Sequence, residues 1–163
     1  MKSTFKILAM VAVLMAAATT MHAQTSATAT ANILTALGVT NDTDLDFGDI
    51  VPDAASSEVT IAATDLGART LTSGSAVLVT TNEGNSAQFT LSGEDQAVDL
   101  ALVSSPITLT GTGSDMSADL VLSETSVGSA SGDVFYVGGT LTVGAAQAAG
   151  SYSGTFEVTA SYQ

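Results

Sequence analysis

The chain of 163 residues contains no cysteine and no tryptophan, and it has only one histidine and three basic residues. Lys2, Lys6 and His22 all precede residue 23, so Arg69 is the single basic side chain of residues 24–163. That stretch lacks the usual nucleophile activators and general bases, as well as nitrogen and sulfur ligands for metals. We therefore predict that the protein is not an enzyme and carries no cofactor.

Positive charge is as scarce as reactive side chains. Over residues 24–163, sixteen carboxylates face Arg69 alone, a formal charge of −15. Binding of phosphate needs clustered cations, so this composition excludes nucleic-acid partners and disfavours anionic membranes.

The first 23 residues have the pattern of a signal peptide. Lys2 and Lys6 precede an apolar stretch at residues 7–18, and Ala23 is a small residue of the kind found at cleavage sites. We predict that residues 1–23 are removed and that the protein reaches the periplasm, the cell surface or the medium. The apolar stretch is too short for a comfortable bilayer span and no other is longer, so we predict no membrane span.

The C-terminal residues alternate between apolar and polar side chains. From Ser151 to Gln163, every second residue is apolar or glycine, a period of two that predicts a strand with one buried face. Residues 135–143 have the same period, and residues 144–150 are small enough to connect the two runs. This pattern predicts two long antiparallel strands that close the domain, with Tyr152, Phe156 and Tyr162 pointing inward and Tyr136 outward.

The remaining sequence also favours strands. Segments of four to eight residues rich in Thr, Val and Ser are bounded by Gly, Asn, Asp, Ser or Pro, and residues 115–125 keep period two through Met116, Leu120 and Leu122. No stretch has a convincing helical period. We predict one all-β domain over residues 24–163, an immunoglobulin-like antiparallel β-sandwich with no substantial helix.

Residues 24–34 form a candidate donor or edge strand. Small or apolar residues at Ala27, Ala29, Ala31 and Ile33 alternate with polar ones, and the segment is uncharged. Such a strand either closes its own sandwich or adds to the next subunit by β-strand addition, which would build a head-to-tail filament. The candidate assembly residues are Ala27, Ala29, Ala31, Ile33, Gly150, Tyr152, Phe156 and Tyr162.

Acidic residues provide two further candidate sites. One cluster resembles the start of a calcium loop, although Phe47 replaces the glycine that the loop requires and no glutamate closes it. The alternative for this cluster is a solvated turn before a strand. The cluster consists of Asp42, Asp44, Asp46 and Asp49.

A second group of carboxylates could suggest glycoside hydrolysis, which uses a pair of acids. These carboxylates fall at predicted turns or on the polar face of a predicted strand, and the chain has no tryptophan to hold a sugar. They are Glu83, Glu94, Asp95 and Asp99.

Three motifs stand out in the sequence: Leu45-Asp46-Phe47-Gly48, the glycine-rich run at residues 137–145, and Ala149-Gly150-Ser151-Tyr152-Ser153-Gly154-Thr155-Phe156. They resemble the motifs of the bacterial exported family of domain of unknown function 4402. The resemblance covers most of residues 24–163. It implies export and no assigned activity.

A second likeness concerns assembly. Gly150 is fourteenth from the C-terminus and Tyr162 is next to last, as in the final strand of chaperone–usher pilus subunits. That resemblance implies an incomplete sandwich filled by a neighbour's N-terminal strand, with related subunits or copies of itself and a periplasmic chaperone as partners. The chain departs from the pattern because it lacks the disulfide and because the apolar face of residues 27–33 is mostly alanine.

Two functions follow as hypotheses. The first is an exported, non-catalytic structural or adhesive surface protein, a pilus-like or fimbria-like subunit that assembles by β-strand addition. The second is a monomeric extracellular module that binds polysaccharide or calcium.

Overall fold

The computed structural model describes residues 23–163, so the predicted signal peptide lies outside the described residues except for Ala23. The described chain contains strands and no helix, which confirms the all-β prediction, and it accordingly holds no helix that could span a membrane. The strands are β1 Gly38–Thr43, β2 Ile50–Val51, β3 Ser57–Ile61, β4 Arg69–Ser73, β5 Val77–Leu78, β6 Ala87–Ser92, β7 Val98–Leu102, β8 Ile107–Gly111, β9 Met116–Leu122, β10 Ser126–Val127, β11 Val134–Val143, β12 Tyr152–Ser153 and β13 Val158–Tyr162.

The structure divides after Ile33, and Leu34–Gln163 form one compact unit. Residues 23–33 contain no strand and their side chains are exposed. The described chain therefore does not show residues 24–34 as an edge strand of their own sandwich, and their role as a donor strand stays a prediction. Period two and strand propensity describe a segment that suits a sheet, but a strand forms only where a partner supplies its hydrogen bonds.

One long strand organises the larger sheet. The first residues of β11 (Val134–Val137) pair with β6, and its later residues (Gly139–Val143) pair with β3 on the same edge. Along the opposite edge, Val137–Thr142 pair with β9. Strand β1 extends the sheet beyond β6, β4 extends it beyond β3, and β8 followed by β12 extends it beyond β9. All of these pairs are antiparallel.

The second layer consists of two separate pieces. Strands β10, β7 and β13 form a three-stranded sheet, and β2 and β5 form a two-stranded ribbon. Side chains of β7 and β10, including Val98, Leu100 and Val127, share one core cluster with those of β3, β6, β9 and β11. Two layers around a common core make the sandwich that the alternating strands predict.

The core follows the predicted strand phases closely. In β11, Phe135, Val137, Leu141 and Val143 are buried, and in β9 Met116, Ala118 and Leu120 alternate with exposed residues. The Phe135 ring stacks on Phe89 with centroids 5.2 Å apart and an interplanar angle of 11°. The C-terminal side chains differ from this pattern, because they pack against the core while only partly buried. They are Tyr152, Phe156, Val158 and Tyr162.

The C-terminal segment is two strands rather than one. Strand β12 pairs with β8 in the larger sheet, β13 pairs with β7 in the smaller sheet, and residues 154–157 cross between the layers. Neither strand pairs with β11, so the prediction that two long strands close the domain together is wrong. An alternating apolar and polar sequence indicates only that every second side chain faces the interior. A segment that crosses from one sheet to the other keeps this alternation although its partner strands change.

Replacing Phe135 tests the core assignment. The Phe135→Ala substitution should lower the free energy of unfolding by about 3–5 kcal/mol, because the side chain has no solvent exposure and its removal leaves a cavity beside Phe89. Chemical denaturation measures the loss. The matched control is Val121→Ala, which removes an exposed side chain and should cost at most about 0.5 kcal/mol. Equal losses in the two variants would contradict the assignment.

Candidate functional site: an apolar groove beside the C-terminal strands

A long open groove lies beside β2 and the residues before and after β12. Its volume is about 1090 Å³, slightly above the range of roughly 300–1,000 Å³ that is usual for small-molecule pockets. Residues 44–52 form one wall and residues 147–156 form the other. The floor is apolar and includes Phe89, Leu109 and Leu141 of the larger sheet. The groove thus reaches the core beside β2.

The first wall is shaped by a tight turn. The Asp46 Oδ1 atom accepts a hydrogen bond of 2.8 Å from the Gly48 N–H, and the backbones of Asp46 and Asn85 exchange bonds of 2.9 and 3.0 Å. Gly48 has a φ of +71°, and an added Cβ would lie 2.5 Å from the Asn82 carbonyl oxygen. Only glycine fits such a turn without strain. The turn directs Phe47 into the core and leaves β2 along the groove.

Arg69 holds this wall to its neighbours. Its guanidinium donates to the carbonyl oxygens of Phe47 and Asp49, both at 3.1 Å, and of Val79 at 2.5 Å. The Val79 N–H in turn donates to the Asp49 carbonyl at 3.0 Å. A planar guanidinium can bond several carbonyls in a fixed arrangement, which a lysine ammonium cannot reproduce. The sequence analysis missed this role, although Arg69 stands out as the single cation of residues 24–163.

The second wall is fixed by one bond within it and one bond from Thr112, which follows β8. The Tyr152 hydroxyl donates to the Ala148 carbonyl at 2.8 Å, and the Thr112 hydroxyl donates to the Ala149 carbonyl at 2.9 Å. Gly150 has a φ of +149°, and an added Cβ would overlap the Thr112 hydroxyl. The glycine therefore allows the wall to lie directly on Thr112.

One strand that borders the groove, β2, pairs only with β5 in the described chain, so its second edge has no strand partner there. The residues that cross between the layers, 154–157, belong to no strand, and the Glu157 carbonyl accepts from the Val103 N–H at 2.9 Å. Unpaired strand edges are templates for another strand. The Phe156 ring packs edge-on against Phe89, with centroids 6.2 Å apart, and so supplies an apolar surface at the same border.

The structure brings three of the predicted assembly residues together. Gly150, Tyr152 and Phe156 line the groove. Tyr162 lies elsewhere: its hydroxyl accepts from the Glu94 N–H at 2.9 Å and donates to the Thr35 carbonyl at 3.1 Å. The other predicted assembly residues belong to the exposed segment that contains no strand. They are Ala27, Ala29, Ala31 and Ile33.

Thr35, Glu94 and Tyr162 form what we call the Thr35 anchor, at the start of the compact unit. Both the N–H and the hydroxyl of Thr35 donate to the Glu94 carboxylate. These two bonds, the hydroxyl bond first, hold the pKa of Glu94 below its ordinary value of 4.5. The anchor fixes the point at which the chain enters the sandwich.

The acidic cluster does not converge on a metal site. The Asp42 carboxylate accepts from the Thr90 hydroxyl, Asp44 accepts from the Asn41 amide, and Asp46 caps its own turn. Across residues 23–163, no group of three or more acidic, histidine or cysteine side chains could hold a metal ion. Of the carboxylates considered for glycoside hydrolysis, none lines the groove. These are Glu83, Glu94, Asp95 and Asp99.

Residues 37–162 match the family described as Domain of unknown function (DUF4402), which covers most of the chain. The chain belongs to the DUF4402 family. The match includes both walls of the groove and ends at Tyr162, which confirms the resemblance seen in the three motifs. Searches of curated proteins and of solved structures found no match. The likeness to chaperone–usher subunits stays a prediction.

Replacing Arg69 tests how this DUF4402 domain holds its groove wall. Arg69→Lys should lower the free energy of unfolding by about 1–3 kcal/mol, because carbonyl oxygens lose donors. It should also speed hydrogen exchange at the Val79 amide, whose acceptor belongs to the same wall. Thr70→Ala, at an exposed position of β4, is the control and should change neither quantity. Unchanged exchange at Val79 in Arg69→Lys would contradict the role.

Acid should release the Thr35 anchor of the DUF4402 domain. Because the folded pKa of Glu94 is lowered, the stabilisation is complete above the unfolded value of 4.5 and is lost as the pH falls through the lower folded value. Hydrogen exchange at the Thr35 amide should therefore lose protection on acidification, beyond the intrinsic effect of pH. In Glu94→Gln this protection should be weaker and independent of pH, while Asp95→Asn should behave as wild type. A Glu94→Gln profile identical to wild type would refute the assignment.

Proposed function

We propose that this DUF4402 protein is an exported, non-catalytic structural or adhesive subunit of a surface polymer, and that it assembles by β-strand addition. The observation that carries the proposal is the groove: it is lined by core residues of the larger sheet and bordered by β2, which pairs only with β5 in the described chain, and by residues 154–156, which belong to no strand. An added strand would satisfy the second edge of β2 with backbone hydrogen bonds.

Energetics favour a strand as the occupant. Backbone hydrogen bonds to the β2 edge would hold an added strand in a fixed register. A small ligand would leave the β2 edge exposed, and exposed edges promote uncontrolled pairing.

The same exposure supports a role for a partner before assembly. A subunit with unpaired strand edges is prone to aggregate, since such edges pair with those of other molecules. In an exported subunit, a periplasmic chaperone that covers the groove would prevent this. The remaining surface is strongly acidic, which keeps assembled subunits soluble at the cell surface.

Obstructing the groove tests the proposal. Ser153→Trp places a bulky ring at an exposed groove-lining position, and Leu109→Glu places a charge on the floor. Either substitution should abolish high-molecular-weight assemblies of the protein on cells, measured by electron microscopy and by gel analysis of unheated samples. The charge-matched control is Val121→Glu, on the outward face of β9, which should assemble normally.

Melting temperatures separate assembly from folding. Ser153→Trp should melt near wild type because the position is exposed, so its loss of assembly would not reflect unfolding. If both groove variants assemble as well as wild type, or if wild type is a monomer on cells, the proposal is wrong. A wild-type monomer whose melting temperature rises with a surface polysaccharide or with calcium would instead support the binding module.

A further inference from the structure

Resting on the adhesive part of the proposed function, we propose that the outward face of the larger sheet carries a binding site for a neutral saccharide. The site is centred on Tyr136 of β11 and Gln88 of β6. It is independent of strand addition, because Phe89 and Leu141, which line the groove, point to the other face of the same sheet.

Tyr136 and Gln88 stand side by side on that outward face. They are directly opposite each other in the antiparallel pair of β11 and β6, and their chain neighbours Phe135 and Phe89 are buried. Side chains alternate along a strand, so Tyr136 and Gln88 point away from the core, and both are partly exposed. Opposite side chains in such a pair have Cβ atoms about 4.5–5.5 Å apart, so one ligand can contact both.

The polar groups of these two side chains are free. The hydroxyls of Tyr152 and Tyr162 donate to backbone carbonyls, whereas the Tyr136 hydroxyl and the Gln88 carboxamide bond to no group of residues 23–163. Buried polar side-chain atoms in this part of the chain all have partners, so the free groups are open to solvent. A phenol and a carboxamide together offer donors and acceptors, which the hydroxyls of a sugar require.

Hydroxyl groups elsewhere on the outward face bond to one another. The Thr60 hydroxyl oxygen lies 2.9 Å from that of Thr140 and 3.2 Å from that of Thr72. Hydroxyls that already share hydrogen bonds gain less from a ligand than free groups do. The part of the face around Tyr136 is therefore the part that is prepared to bind.

A carboxylate extends the site beyond Gln88. Asp42 lies at a bulge of β1, beside Thr43, which is the partner of Gln88. The Asp42 Oδ2 atom accepts from the Thr90 hydroxyl at 2.5 Å, which holds this carboxylate beside β6. Strands lie about 4.8 Å apart, so the site spans roughly 10 Å from β1 to β11. That width accommodates more than one sugar ring.

A backbone ridge borders the site next to Tyr136. At Gly138, the next outward position of β11, an added Cβ would lie 2.3 Å from the Ile61 carbonyl oxygen and 2.6 Å from the Ala63 N. The chain that leaves β3 therefore passes over Gly138. It continues into a turn where Leu66 is 82% exposed and has a φ of +65°, a strained conformation of the kind that collects at binding sites.

The chemistry of the site favours a neutral saccharide over other ligands. Peptides that bind to sheets pair with free edges, but β6 and β11 are each paired on both sides. The formal charge of −15 over residues 24–163, with Asp42 in the site, repels anionic polymers. A cation would leave the Gln88 amide donors unused. A sugar can place its C–H face on the Tyr136 ring and its hydroxyls on the amide and the carboxylate.

Retention on polysaccharide-coated beads tests the site. The complete protein purified from cells should be retained by at least one of dextran, mannan, galactan and xylan, and should be released by the same polysaccharide in solution. Tyr136→Phe keeps the ring and removes the free hydroxyl. It should weaken retention about tenfold, as the loss of one hydrogen bond predicts. Gln88→Leu should have a similar effect.

Tyr162→Phe is the matched control because it also removes one phenol hydroxyl. It should lower the melting temperature, since that hydroxyl belongs to the Thr35 anchor, but it should be retained as wild type is. Tyr136→Phe should show the reverse: a melting temperature near wild type and weaker retention. Equal retention of these two variants would overturn the inference.

The outcomes separate this inference from strand addition. Failure of every neutral polysaccharide to retain the protein, or retention by alginate or poly-lysine beads alone, would contradict the saccharide site. Protein that assembles through the groove and binds no neutral polysaccharide would contradict the inference alone. Protein that binds through Tyr136 but never assembles would contradict strand addition alone. The groove variant Ser153→Trp should retain the site, because its substitution lies on the groove.

Discussion

The structure depends on the pairing of β11 along both of its edges. This ten-residue strand is bordered by β9 on one side and shares its other side between β6 and β3, so three parts of the chain distant in sequence meet on one backbone ladder. In a chain without cysteine, stability must come from such ladders and from the core beneath them. The alternating buried residues of β11 form the centre of that core, with the stacked rings of Phe89 and Phe135 at one end and Val143 at the other.

This arrangement also determines where the molecule is open. The larger sheet is continuous, whereas the layer opposite it is divided into a three-stranded sheet and a two-stranded ribbon. The C-terminal segment crosses between layers at residues 154–157, and the Asp46–Gly48 turn, held by Arg69, directs β2 along the other border. The groove lies beside β2, whose second edge has no strand partner among the described residues. This edge is the basis of the proposed role in assembly.

The sequence predicted the parts of this structure that depend on local periodicity. Alternation in residues 135–143 and 116–122 correctly indicated strands and their buried faces, because an inward-facing position in a sandwich requires an apolar side chain whatever its partner. Which strands pair depends on the whole fold and not on local alternation. For this reason the same pattern led to the wrong prediction that the C-terminal segment pairs with β11, whereas it pairs with β8 and β7. Residues 24–34 form no strand in the described chain for the related reason that alternation supplies no partner. Of the site, the motifs around Phe47 and Gly150 were visible, but Arg69 could be placed only once its three carbonyl acceptors were known.

The central claim is that the groove holds a strand when the protein is at work. The most direct measurement is a cryo-electron microscopy structure of the polymer taken from the cell surface, at a resolution that traces the backbone. The account predicts a continuous strand lying in the groove, with backbone hydrogen bonds to β2. A polymer in which the groove is empty, and in which subunits meet through other surfaces, would contradict it.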